Sequence, residues 1–411
     1  MGRSMAYVIA GASLAGAKAA EALRAGGFTG PVILIGDEDE RPYERPPLSK
    51  DYLLGKAGRD TIYVHPADWY PGNDITLRLG TTVTAVDRAA HEVTLDDGSR
   101  VGYARLLLAT GSSPRQLRVP GAGLAGVHYL RRAGDSDQIK DAFQAASRVA
   151  VIGAGWIGLE TAAAARTAGA EVTVLETAEL PLLRVLGREV ARVFAALHTE
   201  HGVDLRTGVQ VAEITGEGGR ASGVRLGDGS LVPADVVIIG VGVAPNTQLA
   251  EAAGLEVSNG IRVDAQLRTS DPDVYAAGDV ASAFHPLLGT HLRVEHWANA
   301  LHQPQTAARA MLGQPASYDR LPYFYTDQYD LGMEYSGYVP PGDYDEVVLR
   351  GDVPGREFIA FWLSGGRPLA GMNVNVWGDT DEIQALVRAA RPVARERLAD
   401  PDVPLADLAR D

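Results

Sequence analysis

The sequence contains no cysteine, and that absence closes several chemistries at once. A redox-active disulfide, a catalytic thiolate, a cysteine-ligated iron–sulfur cluster and a zinc ribbon all need residues this chain lacks. Any redox work must therefore use a bound organic cofactor. Positive charge is also scarce: the formal net charge is −14, which argues against nonspecific nucleic-acid binding. No segment approaches the roughly 20 uninterrupted apolar residues of a membrane-spanning helix. Arg3 and the apolar stretch behind it resemble a signal peptide, but Gly11, Ser13, Gly16 and Lys18 interrupt the run. The expectation is a cytoplasmic protein with no nucleic-acid or membrane partner. The nine histidines show no metal-ligand spacing, so no metal site is expected; His198 and His201, near one helix end, read as solvated.

What the chain has in quantity is glycine, 47 of 411 residues, and two glycine-rich turns stand out. Gly11-Ala-Ser-Leu-Ala-Gly16 and Gly153-Ala-Gly-Trp-Ile-Gly158 each follow an apolar strand, Ala6 to Ala10 and Arg148 to Ile152, and each opens an alanine-rich helix. The first and third glycines of such a turn allow a tight bend and close packing of helix on strand. The new helix then directs free amides and its positive dipole at a pyrophosphate. A second strand follows in each copy and ends at an acid, Asp37 and Glu176, placed to bond ribose hydroxyls. The copies differ at the middle position, where Ser13 replaces the glycine that lets backbone approach phosphate. Two other readings fit the same residues: a glycine turn with no ligand, and, for Gly11 to Ala15, a nucleophile elbow. The elbow normally follows several sheet strands, whereas this turn comes after the first.

Thr82 to Val86, Glu92 to Leu95 and Arg105 to Ala109 read as further strands, the last delivering the small-residue turn Ala109-Thr-Gly-Ser-Ser-Pro114. After the second nucleotide unit the plan repeats, with Asp228-Gly-Ser230, the apolar run from Ala234 to Gly242, and Pro245-Asn246. Val274-Tyr-Ala-Ala-Gly-Asp279 then returns the chain to its first domain. From about Leu321 the rhythm of strand, turn and strand predicts an antiparallel α+β domain, with a helix from Asp379 to Ala390 and a surface tail from Asp400. The fold class expected is α/β: two Rossmann-like dinucleotide-binding domains and a C-terminal α+β domain. The expected boundaries are 1–115 and 244–320 for the first domain, 116–243 for the second and 321–411 for the third.

These residues resemble the NADH-dependent FAD ferredoxin reductases of bacterial oxygenase systems, the putidaredoxin reductase-like proteins of glutathione reductase fold. The resemblance runs nearly end to end. Its most specific parts are Arg41-Pro-Tyr-Glu-Arg-Pro-Pro-Leu-Ser-Lys50, Ala109-Thr-Gly111, the second glycine turn, Ala277-Gly-Asp279, Glu295-His-Trp297 and Asp327-Gln-Tyr329. It implies that Gly11, Ser13, Leu14, Ala15, Gly16 and Asp37 hold the FAD pyrophosphate and adenosine, with Val83 at the adenine. Arg45, Lys50, Ala109, Thr110, Gly111, Arg131, Gly278 and Asp279 would lie along that cofactor, and Trp297 at the pyrimidine edge of its ring. Gly153, Gly155, Trp156, Ile157, Gly158, Glu176 and Gly242 would hold NADH. Lys50, near flavin N5, and its partner Glu160 are the implied catalytic pair.

Residue type alone leaves other readings open. Lys50 suits a solvated loop, Glu160 suits a first helical turn favoured by the dipole, and Trp156 and Trp297 suit a core. The implied activity is electron transfer from NADH through FAD to a 2Fe–2S or related small ferredoxin that feeds a cytochrome P450 or Rieske-type oxygenase. A rubredoxin reductase, an NADH oxidase and an NADH-sensing flavoprotein like apoptosis-inducing factor are the alternatives. Glu176, with no arginine at Thr177 or Ala178, favours NADH over NADPH. An acidic ferredoxin needs a local basic patch on an acidic reductase, for which Arg388, Arg391, Arg395 and Arg397 are the densest candidate. A monomer or weak dimer is expected.

Overall fold

The computed structural model describes residues 6–340 and 342–410; Arg3 lies outside them. The chain divides into two compact units. One comprises residues 1–44, 59–113 and 243–322, the other 45–58, 114–242 and 323–411.

The first unit is built on the sheet order Ile75–Arg78, Val32–Ile35, Ala6–Ala10, Arg100–Leu108, Val274–Ala276, all parallel. Ala6–Ala10, Val32–Ile35 and Val274–Ala276 are short, apolar and mostly buried, as the centre of a parallel sheet covered on both faces requires. Arg100–Leu108 is longer, and its first half turns aside to pair antiparallel with Glu92–Leu95, which pairs in turn with Val83–Asp87. The helix Leu14–Ala25 buries Ala15, Ala17, Ala19, Ala20 and Leu23. That small-residue face lets it lie close to the sheet.

The second unit repeats the order: Asp204–Arg206, Glu171–Leu175, Arg148–Ile152, Val236–Ile239, Val127–His128, again all parallel. The matching helix is Trp156–Thr167, buried through Leu159 and Ala162 to Ala165. The same unit carries a five-stranded antiparallel sheet, ordered Tyr323–Gln328, Leu331–Gly337, Arg367–Val374, Glu357–Ser364, Glu346–Asp352. The helix Thr380–Ala389 packs there through Ile383, Leu386 and Val387 and stops at Ala390, whose φ of 49° leaves the helical region.

The segment from Asp400, expected on the surface, is docked instead. Leu405 and Leu408 of the helix Leu405–Arg410 are buried with Ile383, Leu386 and Leu398, each contributing about 1.5–3 kcal/mol by burial. Arg350 fixes the approach to that helix. Its buried guanidinium donates to the carbonyls of Asp400 (2.5 Å), Pro401 (3.2 Å) and Val403 (2.8 Å). Burial lowers the basicity of Arg350, and Asp379, Asp400 and Asp402 oppose that shift.

Candidate dinucleotide and redox sites

The two glycine turns have the same construction. In the first, Gly11 has φ +123°, and a Cβ there would stand 2.1 Å from the Ala109 carbonyl oxygen. A Cβ on Gly16 would stand 2.0 Å from the Gly11 carbonyl oxygen. In the second, Gly153 has φ +99° with a Cβ position 2.5 Å from Gly240 O, and a Cβ on Gly158 would lie 2.0 Å from Gly153 O. Glycine is therefore required at the first and third positions of both by contact with backbone. The middle position is different. Gly155 has φ −79° and nothing within 4 Å of its Cβ position, so no protein contact requires glycine there. Ser13 occupies the equivalent helix cap at φ −115° and ψ −162°, extended backbone that a serine adopts without strain, and its hydroxyl makes no capping bond.

Around the first turn the unit assembles most of the predicted flavin residues. Gly11 N–H donates to Ile35 O at 2.7 Å and Ala109 N–H to Ala10 O at 2.8 Å, locking turn and strand end together. Thr110 and Asn246 exchange bonds, Thr110 Oγ1 donating to Asn246 O at 2.8 Å and Asn246 Nδ2 to Thr110 O at 2.7 Å. Asn246 N–H also reaches Gly111 O at 2.9 Å. Gly278, at φ +80°, brings its Cβ position within 3.2 Å of Ala15 Cβ, so the Gly278-Asp279 turn sits on the first turn of the helix Leu14–Ala25. Gln303 Oε1 accepts the Gly278 amide and Ser112 Oγ donates to Asp279 Oδ2, both at 2.8 Å. Leu14, Ala15 and Gly16 are buried, Asp37 is exposed beyond Val32–Ile35, and Val83 is half-buried opposite Leu95. Trp297 opens the helix Trp297–Met311 and donates from Nε1 to Glu44 at 3.2 Å. His296, its cap, is held by burial at a pKa of about 4, against the pull of Asp279.

The second turn borders a cavity of about 520 Å³. Gly153, Ala154, Gly155, Trp156, Glu176 and Gly242 are among its lining residues, while Ile157 is an exposed side chain in the first helical turn. Glu176 accepts three bonds: Ala154 N–H donates to Oε2 at 2.7 Å, and Ala178 N–H at 2.8 Å and Thr177 Oγ1 at 3.0 Å to Oε1. Trp156 closes one wall and packs edge-on against Phe194, ring centroids 5.5 Å apart. Arg184 and Gln210 also line the cavity. Sequence reading missed both, because neither belongs to the turn motif and Arg184 arrives on a separate helix, Leu183–Glu200.

Lys50 and Glu160 meet within this unit. Glu160, on the helix Trp156–Thr167, is 4% exposed, a buried acid and not a solvated first-turn residue. Its Oε1 accepts from Lys50 Nζ at 2.7 Å and from Thr326 Oγ1 at 2.5 Å, and Oε2 accepts from Ser49 Oγ. Three donors converge on one carboxylate. The Lys50 ammonium also lies 5.5 Å from the Tyr325 ring centroid. Arg45 Nη1 donates to Arg131 O at 2.5 Å, so these two residues meet through backbone. His198 is fully buried, contrary to its solvated reading. It shares a helix face with Phe194, Leu197 and Ala191, and finds a polar partner in Gln328, with Nε2 and Oε1 2.8 Å apart.

The four arginines offered as a docking patch are exposed. Arg391 Nη2 donates to Ala409 O at 2.6 Å and Arg395 pairs with Glu346, so part of that charge is spent inside the unit. Among the described residues no helix is long and apolar enough to cross a membrane.

Comparison with known proteins gives the class. Residues 5–304 match the pyridine nucleotide-disulphide oxidoreductase family and residues 323–409 the reductase C-terminal family. The ferredoxin–NAD(+) reductase component of the anthranilate 1,2-dioxygenase system of Burkholderia cepacia is 43% identical, over 97% of this chain and 98% of its own. The ferredoxin reductase for the CYP199A2 system of Rhodopseudomonas palustris superposes with a TM-score of 0.94 at 37% identity, over 98% and 99% of the two chains. A putidaredoxin reductase, solved in covalent complex with putidaredoxin, does so at 0.94 and 38%, over 99% and 98%. This chain belongs to the NAD-dependent ferredoxin reductases within the pyridine nucleotide-disulphide oxidoreductases. It is an FAD- and NAD(H)-dependent oxidoreductase.

Proposed function

We propose that this protein takes electrons from NADH, passes them through FAD and delivers them to a small 2Fe–2S type ferredoxin that serves a cytochrome P450 or Rieske-type oxygenase. One observation carries the reading: two dinucleotide turns of the same construction stand in a chain with no cysteine. Two bound dinucleotides imply internal electron transfer, and without a thiol pair the electrons leave to an external acceptor.

The residues present fit both cofactors. Gly11, Ser13 and Gly16, with the amides that open Leu14–Ala25, would hold the FAD pyrophosphate, and Gly278 and Asp279 stand at the same helix end. Space over Gly155, the adjoining cavity and the carboxylate of Glu176 fit NADH. Bound there, the cofactors supply two-electron hydride transfer followed by release of single electrons.

The chain's own residues bind, orient and exclude water. The helix Trp156–Thr167 presents its free first-turn amides to an anion. Glu176, held by two amides, keeps lone pairs for a ribose 2′-hydroxyl and repels a 2′-phosphate. Trp156 shields one wall. Lys50, held by Glu160, offers a fixed positive charge and N–H donors at the reacting end. The C-terminal arginines are the candidate surface for an acidic ferredoxin.

The test is rapid mixing of the purified yellow protein with NADH, followed by cytochrome c turnover with and without a 2Fe–2S ferredoxin. NADH should bleach the flavin, and cytochrome c reduction should depend on the ferredoxin. Equal turnover without it would replace this reading with a flavin-dependent reductase of other acceptors, and transfer to oxygen alone with an oxidase. Acid precipitation should release all the flavin, because no cysteine is present to form a thioether.

A further inference from the structure

Behind Lys50 and Glu160 runs a line of buried polar side chains that the proposed function does not use. Thr326 and Gln328 are each 1% exposed and His198 is fully buried. Thr326 and Gln328 lie two residues apart on the strand Tyr323–Gln328 and so share a face with Phe324. Buried polar side chains are for the most part hydrogen-bonded. Here they are: Thr326 Oγ1 to Glu160 Oε1 at 2.5 Å, Gln328 Nε2 to Thr326 Oγ1 at 3.2 Å, and Gln328 Oε1 to His198 Nε2 at 2.8 Å.

The chemistry of the groups gives the line a direction. A carboxylate paired with Lys50 only accepts, so the Thr326 hydroxyl must donate to it. Its lone pair then accepts, and only the Gln328 amide nitrogen can supply that proton. The Gln328 oxygen is thereby turned toward His198, whose Nε2 must carry hydrogen. Each donor points toward Glu160. His198 Nδ1 has no hydrogen-bond partner among the described residues, and burial favours the neutral ring, which leaves the Nε2–H tautomer.

We propose that Thr326, Gln328 and His198 are positioning residues: a one-way hydrogen-bond line that fixes the rotamer of Glu160 and, through it, the place of the Lys50 ammonium. Gln328 and His198 act only through the residues before them. Without the line, Glu160 keeps Ser49 and Lys50 but loses the donor that fixes Oε1 from the strand side. The consequence for NADH oxidation rests on the function proposed above; the hydrogen-bond line itself does not.

Two readouts test it in the holoenzyme. The first is the limiting rate of flavin reduction by NADH in Gln328→Met, Thr326→Val and Thr326→Ser, each also combined with Glu160→Ala. Gln328→Met and Thr326→Val should slow the limiting rate about tenfold, the low end of the loss seen when outer-shell partners of metal ligands are removed, at unchanged half-saturation by NADH. Thr326→Ser should restore it. In the Glu160→Ala background, which removes the acceptor of the line, Gln328→Met should have no further effect. An equal loss in both backgrounds, or none in the native one, overturns the proposal. The second readout is the ring 15N spectrum of His198, assigned with His198→Asn. It should show a single neutral Nε2–H tautomer in the native protein and a mixture in Thr326→Val. A spectrum unchanged by Thr326→Val overturns the line whether or not NADH reduces the protein, while a native protein inert to NADH but with the expected spectra overturns only the function.

Discussion

Glu176 accepts the amide of Ala154 at 2.7 Å, so the acid proposed above to read a ribose is also a brace of the glycine turn. Recognition and local structure are joined in one carboxylate, and a substitution at this position acts on both.

Replacing Glu176 with Ala, with Thr177→Arg, should shift relative kcat/KM toward NADPH by about 1–3 kcal/mol, the range of charge-assisted hydrogen bonds. Arg184, already at the cavity wall, should make Glu176→Ala alone move the preference in the same direction. NADH affinity should fall in both variants as the Ala154 amide loses its acceptor. Steady-state kinetics with both coenzymes decide it; an unmoved ratio places ribose reading elsewhere.

Gly153→Ala and Gly155→Ala should separate folding from binding. The first forces a Cβ within 2.5 Å of Gly240 O at φ +99° and should cost about 1–3 kcal/mol of stability together with NADH binding. Gly155→Ala meets no protein atom within 4 Å, so its stability should stay within about 0.5 kcal/mol of native while NADH affinity drops. Thermal unfolding and NADH titration distinguish the two; parallel losses in both variants would contradict an open face over Gly155.

Lys50→Met strands a buried carboxylate, an effect that reaches about 3–5 kcal/mol for a fully buried pair. It should be less stable than the double variant Lys50→Met, Glu160→Gln, and both should reduce slowly with NADH. Denaturant midpoints of single and double variants make the comparison, and a double variant less stable than Lys50→Met would count against a charge penalty.

His198 makes stability pH-dependent. Its folded pKa, about 4, lies below the ordinary 6.5 because the ring is buried. The unfolded chain therefore binds the proton first, and the contribution is fully present above about pH 6.5 and lost as pH falls toward 4. The full loss is on the order of 3 kcal/mol at 1.36 kcal/mol per pH unit. In His198→Gln, urea midpoints between pH 7 and pH 5 should fall less steeply than in the native protein; identical slopes would remove His198 from the acid response.

Reversing Arg388, Arg391 and Arg395 to Glu should leave flavin reduction by NADH intact and raise KM for ferredoxin at low ionic strength. The effect should fade near 1 M salt, where the Debye length is about 3 Å. Since Arg395 pairs with Glu346, Arg395→Glu alone measures how much of the effect is local disruption. A ferredoxin KM unmoved by all three reversals would take docking off the C-terminal arginines.

The repeating strand–turn–helix units were legible because parallel strands are continuous apolar runs and because glycine at the first and third turn positions is forced by backbone contact. Glu92–Leu95, Arg148–Ile152 and the antiparallel rhythm after Leu321 were readable for similar reasons. Ser13 departs from the glycine of the second turn, and its negative φ shows that the backbone at the middle position does not require glycine. The supports of Glu160 were not legible. Ser49, Thr326 and Gln328 come from distant segments and become neighbours only by tertiary packing, although polar Thr326 and Gln328 on the Phe324 face of a strand are a signal in hindsight. His198 was misread because nearness to a helix end says nothing of which face it occupies.

Arg350 has a consequence for how the polypeptide matures. Its guanidinium gathers carbonyls from Asp400 to Val403 and so seats the helix whose Leu405 and Leu408 cover Ile383 and Leu386. During synthesis that apolar face stays uncovered, and the guanidinium unmet, until residues near 408 have cleared the ribosome's exit tunnel. The helix Thr380–Ala389 is thus covered last, and truncation before Leu405 should leave its apolar face exposed.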